Sequence, residues 1–175
     1  MLKTILLVAV LAIAAVLFYA ATRPDTFSLQ RSLWIQAPPA RIHALINDLR
    51  QFNTWNPYEK KDPAIQGHYP GPTAGPGARY EFKGNRDVGE GSLEIVDSAA
   101  QRVTMRLDMT APMQGSNTIT FTLVPREAGT EVTWAIQGAS PYVAKLMGIF
   151  LNMDDMIGRD FESGLVALKA RAEQA

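Results

Sequence analysis

The longest continuous helical pattern in the chain is SPYVAKLMGIFLNMDDMIGRDFESGLVALKARA, residues Ser140–Ala172. Ser140 followed by Pro141 is typical of a helix start, because serine caps the first turn and proline at the first helical position loses no hydrogen bond. The pattern predicts one amphipathic helix, roughly 45 to 50 Å long, that packs its apolar face across a whole sheet. The apolar residues recur every three or four positions: Leu146, Phe150, Met153, Ile157, Phe161, Leu165 and Leu168.

The composition fits one globular domain with a short appendage. The 175 residues are 47% hydrophobic and 19% charged, which argues against disorder. Seventeen basic residues balance seventeen acidic ones without a long run of like charge, so we expect no nucleic-acid partner. Cysteine is absent, which excludes disulfides and thiolate metal sites but leaves the compartment open.

Residues Ile5–Ala21 form a membrane segment or a signal peptide, because none of them is charged and Lys3 and Arg23 flank them. The small residues before Arg23 make a poor cleavage site, so we expect an uncleaved anchor over residues 1–23; a removed signal peptide and a buried core helix are the alternatives. Lys3 and Arg23 nearly balance under the positive-inside rule. We favour a single-pass anchor with the domain, residues 24–175, on the extracytoplasmic (periplasmic) side.

A strand with one buried face follows this anchor. Arg31 takes an in-facing position in it. Either a β-bulge re-aims the side chain, the side chain extends outward so that its charge reaches water, or it reaches a polar group inside. Pro38 and Pro39 end the strand, and two short helices are predicted over residues 40–49 and onward to Trp55. The strand is predicted from alternating apolar positions: Phe27, Leu29, Leu33 and Ile35.

Residues 56–77 hold five of the eleven prolines and four of the thirteen glycines, which predicts a segment that is mostly loop and forms a mobile rim of a cavity. Short polar turns then separate five predicted antiparallel strands: residues 79–83, 89–97, 102–109, 117–124 and 131–138. One face of this sheet is apolar, and we expect the long helix to cover it. That face comprises Tyr80, Phe82, Leu93, Ile95, Val103, Met105, Leu107, Ile119, Phe121, Leu123, Val132, Trp134 and Ile136.

Short motifs of one recognisable kind are spread over the domain: Arg31-Ser32-Leu33 before Ala37-Pro38-Pro39, Trp55-Asn56-Pro57, Asp62-Pro63, Gly77-Ala78-Arg79-Tyr80, Val88-Gly89-Glu90-Gly91 and Gly158-Arg159-Asp160-Phe161-Glu162. From about Phe27 to Ala172 the chain resembles the polyketide cyclase/dehydrase and lipid-transport family of the START-like (SRPBCC) superfamily. The resemblance implies an α+β helix-grip (START-like) fold, in which a bent antiparallel sheet wraps around a long C-terminal helix, here with an N-terminal transmembrane helix. It also implies a deep apolar cavity between helix and sheet. The superfamily includes lipid carriers, aromatic polyketide cyclases and iron-dependent oxygenase subunits, so the fold does not select a function.

The residue types argue against several catalytic chemistries. The chain has two histidines, His43 and His68, and they support neither a metal cluster nor a Ser-His triad, so we expect no metal and no cofactor. Asp154 and Asp155 are consecutive on a helix and point about 100° apart, so they cannot chelate one ion together. We therefore assign no catalytic residue.

Apolar side chains are the candidates for the cavity wall, because methionine and aromatic residues adapt to irregular hydrophobic ligands, although they also fill cores. Gly158 shares the inward stripe of the helix, and we expect it to border open space. Arg31 and Glu94 are the polar candidates. The apolar candidates are Trp55, Tyr58, Tyr80, Phe82, Met105, Phe121, Trp134, Phe150, Met153, Ile157, Gly158 and Phe161.

These observations predict a membrane-tethered domain that binds or transports a hydrophobic, lipid-like small molecule without covalent chemistry. One alternative is a cyclase- or dehydratase-type enzyme acting in the same cavity, with Arg31, Tyr80 or Glu94 in acid–base roles. Another alternative is a ligand-free interaction module.

Overall fold

Alternating apolar residues build one bent antiparallel sheet in the computed structural model, which describes residues 1–150 and 152–174. Its seven strands are β1 Thr26–Ile35, β2 Gln66–His68, β3 Arg79–Lys83, β4 Glu90–Ala99, β5 Arg102–Ala111, β6 Gly115–Arg126 and β7 Gly129–Ala139. They lie in the order β1-β7-β6-β5-β4-β3-β2, so β1 closes against the last strand and the other neighbours follow one another in the chain. The predicted strands are confirmed, with ends shifted by a residue or two.

Six helices accompany the sheet among the described residues: α1 Leu2–Thr22, α2 Pro39–Asn47, α3 Leu49–Asn53, α4 Pro57–Lys61, α5 Tyr142–Phe150 and α6 Met153–Ala172. The predicted helix-grip arrangement is confirmed, since α6 packs against β1 and β7 on one face of the sheet. By length and composition α1 is able to cross a membrane, and its side chains are mostly exposed. An apolar N-terminal helix of this kind fits a membrane anchor or a signal sequence.

The C-terminal pattern forms two helices rather than one, so the prediction of a single helix over Ser140–Ala172 is wrong. The Asn152 side chain caps α6 by accepting a hydrogen bond from the Asp155 backbone N–H at 3.3 Å. Asp154 and Asp155 occupy the first turn, where carboxylates interact favourably with the helix dipole. A second helix start therefore competes with continuation of the first. As a result α5 packs against α1, whereas α6, about 30 Å long, covers the sheet.

The proline- and glycine-rich segment is mostly loop but also contains the short elements α4 and β2. Two backbone hydrogen bonds attach its far end to α2 and α3: Leu49 N–H donates to Thr73 O at 2.7 Å, and Gly75 N–H donates to Asn47 O at 2.9 Å. Gly75 has a φ of 76°, a conformation that favours glycine. Outside α4 and β2 the segment consists of turns and irregular backbone, as the prediction of mostly loop requires.

The core lies between α6, the short helices and the inner face of the sheet. Its fully buried side chains come from all three layers, which is why α6 and the sheet form one folding unit with α2 and α3. The largest are Trp55, Trp134, Phe121, Phe161, Ile35, Ile42, Ile46, Leu49, Ile95, Met105, Leu123 and Leu165.

Candidate functional site

The strand register aligns side chains of the inner face into rows that run across the sheet. One row joins Arg31, Trp134, Phe121 and Val103. A second row, which we call the Asn117 row, crosses six strands: Phe27 of β1, Gly138 of β7, Asn117 of β6, Leu107 of β5, Leu93 of β4 and Tyr80 of β3. Because directly paired residues share a face of an antiparallel sheet, these rows are the floor on which any ligand between helix and sheet would rest.

Aromatic rings fill the floor under α6. Phe161 of α6 stacks on Trp134 with ring centroids 4.1 Å apart, and Phe121 lies 5.0 Å from Trp134 on the other side. Phe52 and Trp55 complete the cluster at 4.7 Å from each other. Four sequence candidates, Trp55, Phe121, Trp134 and Phe161, thus pack as core at 0–2% exposure, and so does the candidate Met105. These side chains therefore fill the part of the space between helix and sheet where we expected a deep cavity.

Arg31 of β1 lies beside this aromatic cluster, directly opposite Trp134 in the sheet. Its Nη2 donates to Asp154 Oδ2 at 3.0 Å and its Nε donates to Glu162 Oε1 at 2.7 Å, so a polar partner on α6, not a bulge, explains this arginine. A Cβ placed on Gly158 would meet the Arg31 guanidinium. The open space that we expected beside Gly158 is therefore occupied by Arg31.

The Asn117 row is less completely covered than the aromatic row. Phe27, Leu107 and Asn117 are partly exposed, as are Ile157 of α6 and the candidate Phe82, which follows Tyr80 on the inner face of β3. The apolar members of this group pack against the edge of the core. This part of the inner face is therefore both apolar and accessible to solvent. Asn117 supplies an amide group at its centre.

The α4 side of the Asn117 row carries a carboxyl–phenol pair. Tyr80 Oη donates to Glu59 Oε1 at 2.7 Å, and the Tyr69 ring lies 4.7 Å from the Tyr80 ring. Burial raises the pKa of the Glu59 carboxyl, with the nearby Asp62 charge acting in the same direction and the Tyr80 hydrogen bond opposing it. Burial and the adjacent Glu59 also raise the pKa of Tyr80, so the phenol holds its proton.

A second polar group links α4 to α6. Lys61 Nζ forms an ion pair with Asp160 Oδ2 at 2.7 Å and stands 5.2 Å above the candidate Tyr58 ring. Burial, followed by the neighbouring Asp160 charge, raises the pKa of the Tyr58 phenol. These contacts fix α4 beside α6 at the edge of the aromatic cluster.

Three sequence candidates do not join this site. Phe150 lies on α5 and is 73% exposed, because the break before α6 turns that part of the pattern away from the sheet. Glu94 lies on the outer face, 2.7 Å from Arg106 and 3.6 Å from Arg79, because strand alternation opposes it to Leu93 and Ile95. Met153 begins α6, but its side chain lies outside the described part of the chain.

Two depressions mark the outer face of the sheet. The first encloses about 350 Å³ and is lined by Ser28, Leu29, Gln30, Thr118, Thr120, Ala135, Ile136 and Gln137. The second encloses about 510 Å³ and has a charged lining that includes Arg79, Glu81, Lys83, Glu90 and Asp108. Most residues that line these two depressions are polar or charged, which suits an apolar ligand poorly. Within residues 1–150 and 152–174 no cluster of metal-ligating side chains occurs.

Sequence reasoning missed Glu59, Tyr69 and Asn117. Glu59 and Tyr69 stand in the segment that we predicted as loop, where no periodicity assigns a side chain to a face. Asn117 occupies an inward position at the start of a predicted strand, and its polarity among apolar inward positions was the available signal.

Comparison with known proteins identifies the fold and a family description. The family model described as Polyketide cyclase / dehydrase and lipid transport matches residues 26–173. No curated protein sequence matches the chain.

Three solved structures illustrate the shared fold. A protein from Chromobacterium violaceum is 18% identical, with a TM-score of 0.61 over 87% of this chain and 100% of that one. Major latex-like protein 151 from Panax ginseng is 15% identical, with a TM-score of 0.60 over 86% and 100%. The di-domain ARO/CYC protein BexL is 14% identical, with a TM-score of 0.62 over 90% of this chain and 53% of that protein. At these identities the likeness establishes the fold alone.

Proposed function

The chain belongs to the polyketide cyclase/dehydrase and lipid-transport family, and from this premise we propose that it binds a hydrophobic, lipid-like small molecule on the Asn117 row while α1 holds it at a membrane. Membership in the family implies either binding of a hydrophobic ligand or a role of the cyclase/dehydrase kind. The membrane tether and the location of the ligand are the steps that we add.

The accessible apolar part of the inner face carries this proposal. Under α6 the inner face is dry and filled, whereas Phe27, Phe82, Leu107 and Ile157 remain partly exposed on the same side of the sheet. Each buried methylene of a ligand there would contribute about 0.8 kcal/mol, so an alkyl chain laid along the row gains substantial free energy. The Asn117 amide would orient a polar end of that ligand.

A photoactivatable fatty acid tests this location in the purified full-length chain. We expect cross-links on β3, β5 and the first half of α6, and a co-purified small molecule in native mass spectrometry. Leu107→Arg should lower the cross-linking yield at least tenfold, because it brings a charge onto the apolar row. Val124→Arg, at an exposed position near the end of β6, is the matched control and should leave the yield unchanged.

A second variant separates loss of the site from loss of the fold. Met109 follows Leu107 on the inner face of β5 and is half-buried. Met109→Gln keeps the side-chain volume nearly constant and should weaken cross-linking with little change in melting temperature. Cross-links confined to the outer face, or equal yields in Leu107→Arg and Val124→Arg, would contradict the proposed location.

The Glu59–Tyr80 pair favours a second candidate function, a cyclase- or dehydratase-type reaction on the same ligand. A carboxyl with a raised pKa beside a protonated phenol is suited to general acid–base chemistry. Incubation of the recovered ligand with the protein distinguishes the two functions. Loss of water from the ligand, or conversion to an isomer with a different chromatographic retention time, in the parent but not in Glu59→Gln would establish catalysis. An unchanged mass and retention time would leave binding alone.

A further inference from the structure

The short helix α5 has its charge inside and its apolar residues outside. Lys145 is 8% exposed and forms an ion pair with Asp25, which follows α1. Val143, Met147 and Phe150 are 57%, 43% and 73% exposed. Their spacing of four and three residues places them in one stripe along the helix. A water-soluble surface helix has the reverse arrangement, so this stripe calls for an apolar partner.

Contacts with α1 fix where this stripe lies. Tyr142 Oη donates to Leu17 O at 2.9 Å, and Arg23 Nη1 donates to Gly148 O at 2.8 Å. The Lys145–Asp25 ion pair is a third connection at the same junction. Helix α5 is therefore held beside the last turns of α1, where a spanning helix would leave the bilayer.

The depth of this junction agrees with a membrane interface. The 21 residues of α1 extend about 31 Å at 1.5 Å per residue, close to the roughly 30 Å of a hydrocarbon core. Leu17 precedes the end of α1 by five residues, so Tyr142 meets α1 about 7 to 8 Å inside that end. Helices that lie in the interface bury their apolar face about 5 to 10 Å deep, and tyrosine is enriched there.

We propose that α5 is a membrane-docking helix, whose Val143–Met147–Phe150 stripe lies in the headgroup–acyl boundary of the bilayer that α1 spans. This inference rests on the proposed role of α1 as an uncleaved anchor. Phe27, the first member of the Asn117 row, follows Thr22 by five residues, which limits their separation to about 18 Å. This short link keeps the β1 end of the Asn117 row near the lipid from which an apolar ligand would come. Docking of α5 would hold the domain in that orientation.

Single-cysteine spin labels on the full-length chain test the docking, because the sequence contains no native cysteine. The protein is reconstituted in phosphatidylcholine nanodiscs with a label at Met147→Cys, Phe150→Cys, Leu11→Cys or Val166→Cys. Collision rates with oxygen and with a water-soluble nickel chelate then report depth. Val166 is the matched control, since it is a 60% exposed apolar residue on α6.

We expect the oxygen-to-nickel collision ratio at positions 147 and 150 to exceed that at position 166 several-fold, and to approach the ratio at position 11. A membrane ratio at position 11 with aqueous ratios at 147 and 150 would overturn the docking of α5 while leaving the anchor intact. An aqueous ratio at position 11, or an intact mass that lacks residues 1–23, would instead overturn the anchor. Val143→Cys provides the same measurement on the stripe if either α5 label perturbs folding.

Discussion

The Arg31 guanidinium lies against Gly158, in the space that any side chain at position 158 would enter. Arg31 is held there by Asp154 and Glu162 of α6, one on each side of Gly158 in the sequence. The glycine thus allows a β1 arginine to reach across the helix and bind two of its carboxylates. If Gly158 bordered an open cavity, a larger residue at position 158 would leave stability equal or higher. Because Arg31 occupies that space, a larger residue should lower stability.

Gly158→Leu should destabilise the protein by about 1 to 3 kcal/mol, because the new side chain overpacks the helix–strand contact and displaces Arg31. Urea denaturation followed by tryptophan fluorescence measures this loss. Ser163→Leu, an exposed position on the same helix, is the control and should stay within about 0.5 kcal/mol of the parent.

The double variant Arg31→Ala/Gly158→Leu adds a sharper measurement. Removing the guanidinium leaves room for leucine, so the double variant should lose less stability than the sum of the single variants. Additive losses would contradict the direct contact between Arg31 and position 158.

Phe161→Ala should cost about 3 to 5 kcal/mol, since it removes a ring that stacks on Trp134 in the centre of the core. Phe150→Ala makes the same chemical change on the same C-terminal pattern, but at an exposed position, and should leave the unfolding free energy nearly unchanged. Denaturation of both variants in detergent provides the comparison. Similar losses would mean that the break between α5 and α6 does not separate the two phenylalanines as described.

Glu59→Gln should change the pH dependence of stability in a defined direction. A carboxyl whose folded pKa is raised binds more protons in the folded state, so its contribution to stability is present at low pH and is lost as the pH rises from the ordinary value of 4.5 through the raised one. The variant keeps a hydrogen-bond acceptor for Tyr80 without the charge. Its stability relative to the parent should therefore increase as the pH rises through this window.

Melting temperatures measured from acid to neutral pH check the effect of Glu59→Gln. Glu127→Gln, in the exposed turn between β6 and β7, corrects for the general loss of one carboxylate. A relative stability that falls with rising pH would show that Glu59 is not the desolvated group described.

A chain that begins at Pro24 should fold with its sheet intact, because Ala20 is the one buried residue within α1. The same truncation removes Leu17 and Arg23, two of the partners that hold α5. We expect a near-UV circular dichroism spectrum typical of packed aromatic residues, together with faster hydrogen exchange in residues 142–150 than in the full-length chain. Loss of the near-UV signal would refute the division into residues 1–23 and 24–175.

The alternation of side chains in the strands was sufficient to predict the sheet and its apolar face. Every inward residue expected from Tyr80 to Ile136 is buried or half-buried in the structure. The physical reason is that strand alternation is local, with a period of two, so each residue's face follows from its neighbours. The apolar stripe of the C-terminal pattern then predicted that a helix covers that face.

Local patterns were less informative where two local signals compete. The apolar spacing continues through residues 150–157, which favours one helix. Asn152, with Asp154 and Asp155 in the following turn, instead favours a new helix start, and in the structure α6 begins after the Asn152 cap. The sequence could not weigh a cap against continued periodicity, because that balance depends on whether the preceding helix has a partner of its own. Here α1 provides that partner for α5.

The content of the space between helix and sheet was decided by tertiary structure alone. Periodicity placed Gly158, Phe161 and Arg31 on the inner side. It did not predict how far each side chain extends between the helix and the sheet. That reach depends on contacts between residues more than a hundred positions apart, such as Arg31 with Glu162. The sequence by itself determined which face of each strand and helix is apolar, because that depends on neighbouring residues. Tertiary structure decided that aromatic rings and one arginine fill the centre and leave the Asn117 row accessible. The reason is that the filling of a volume depends on all the side chains that surround it.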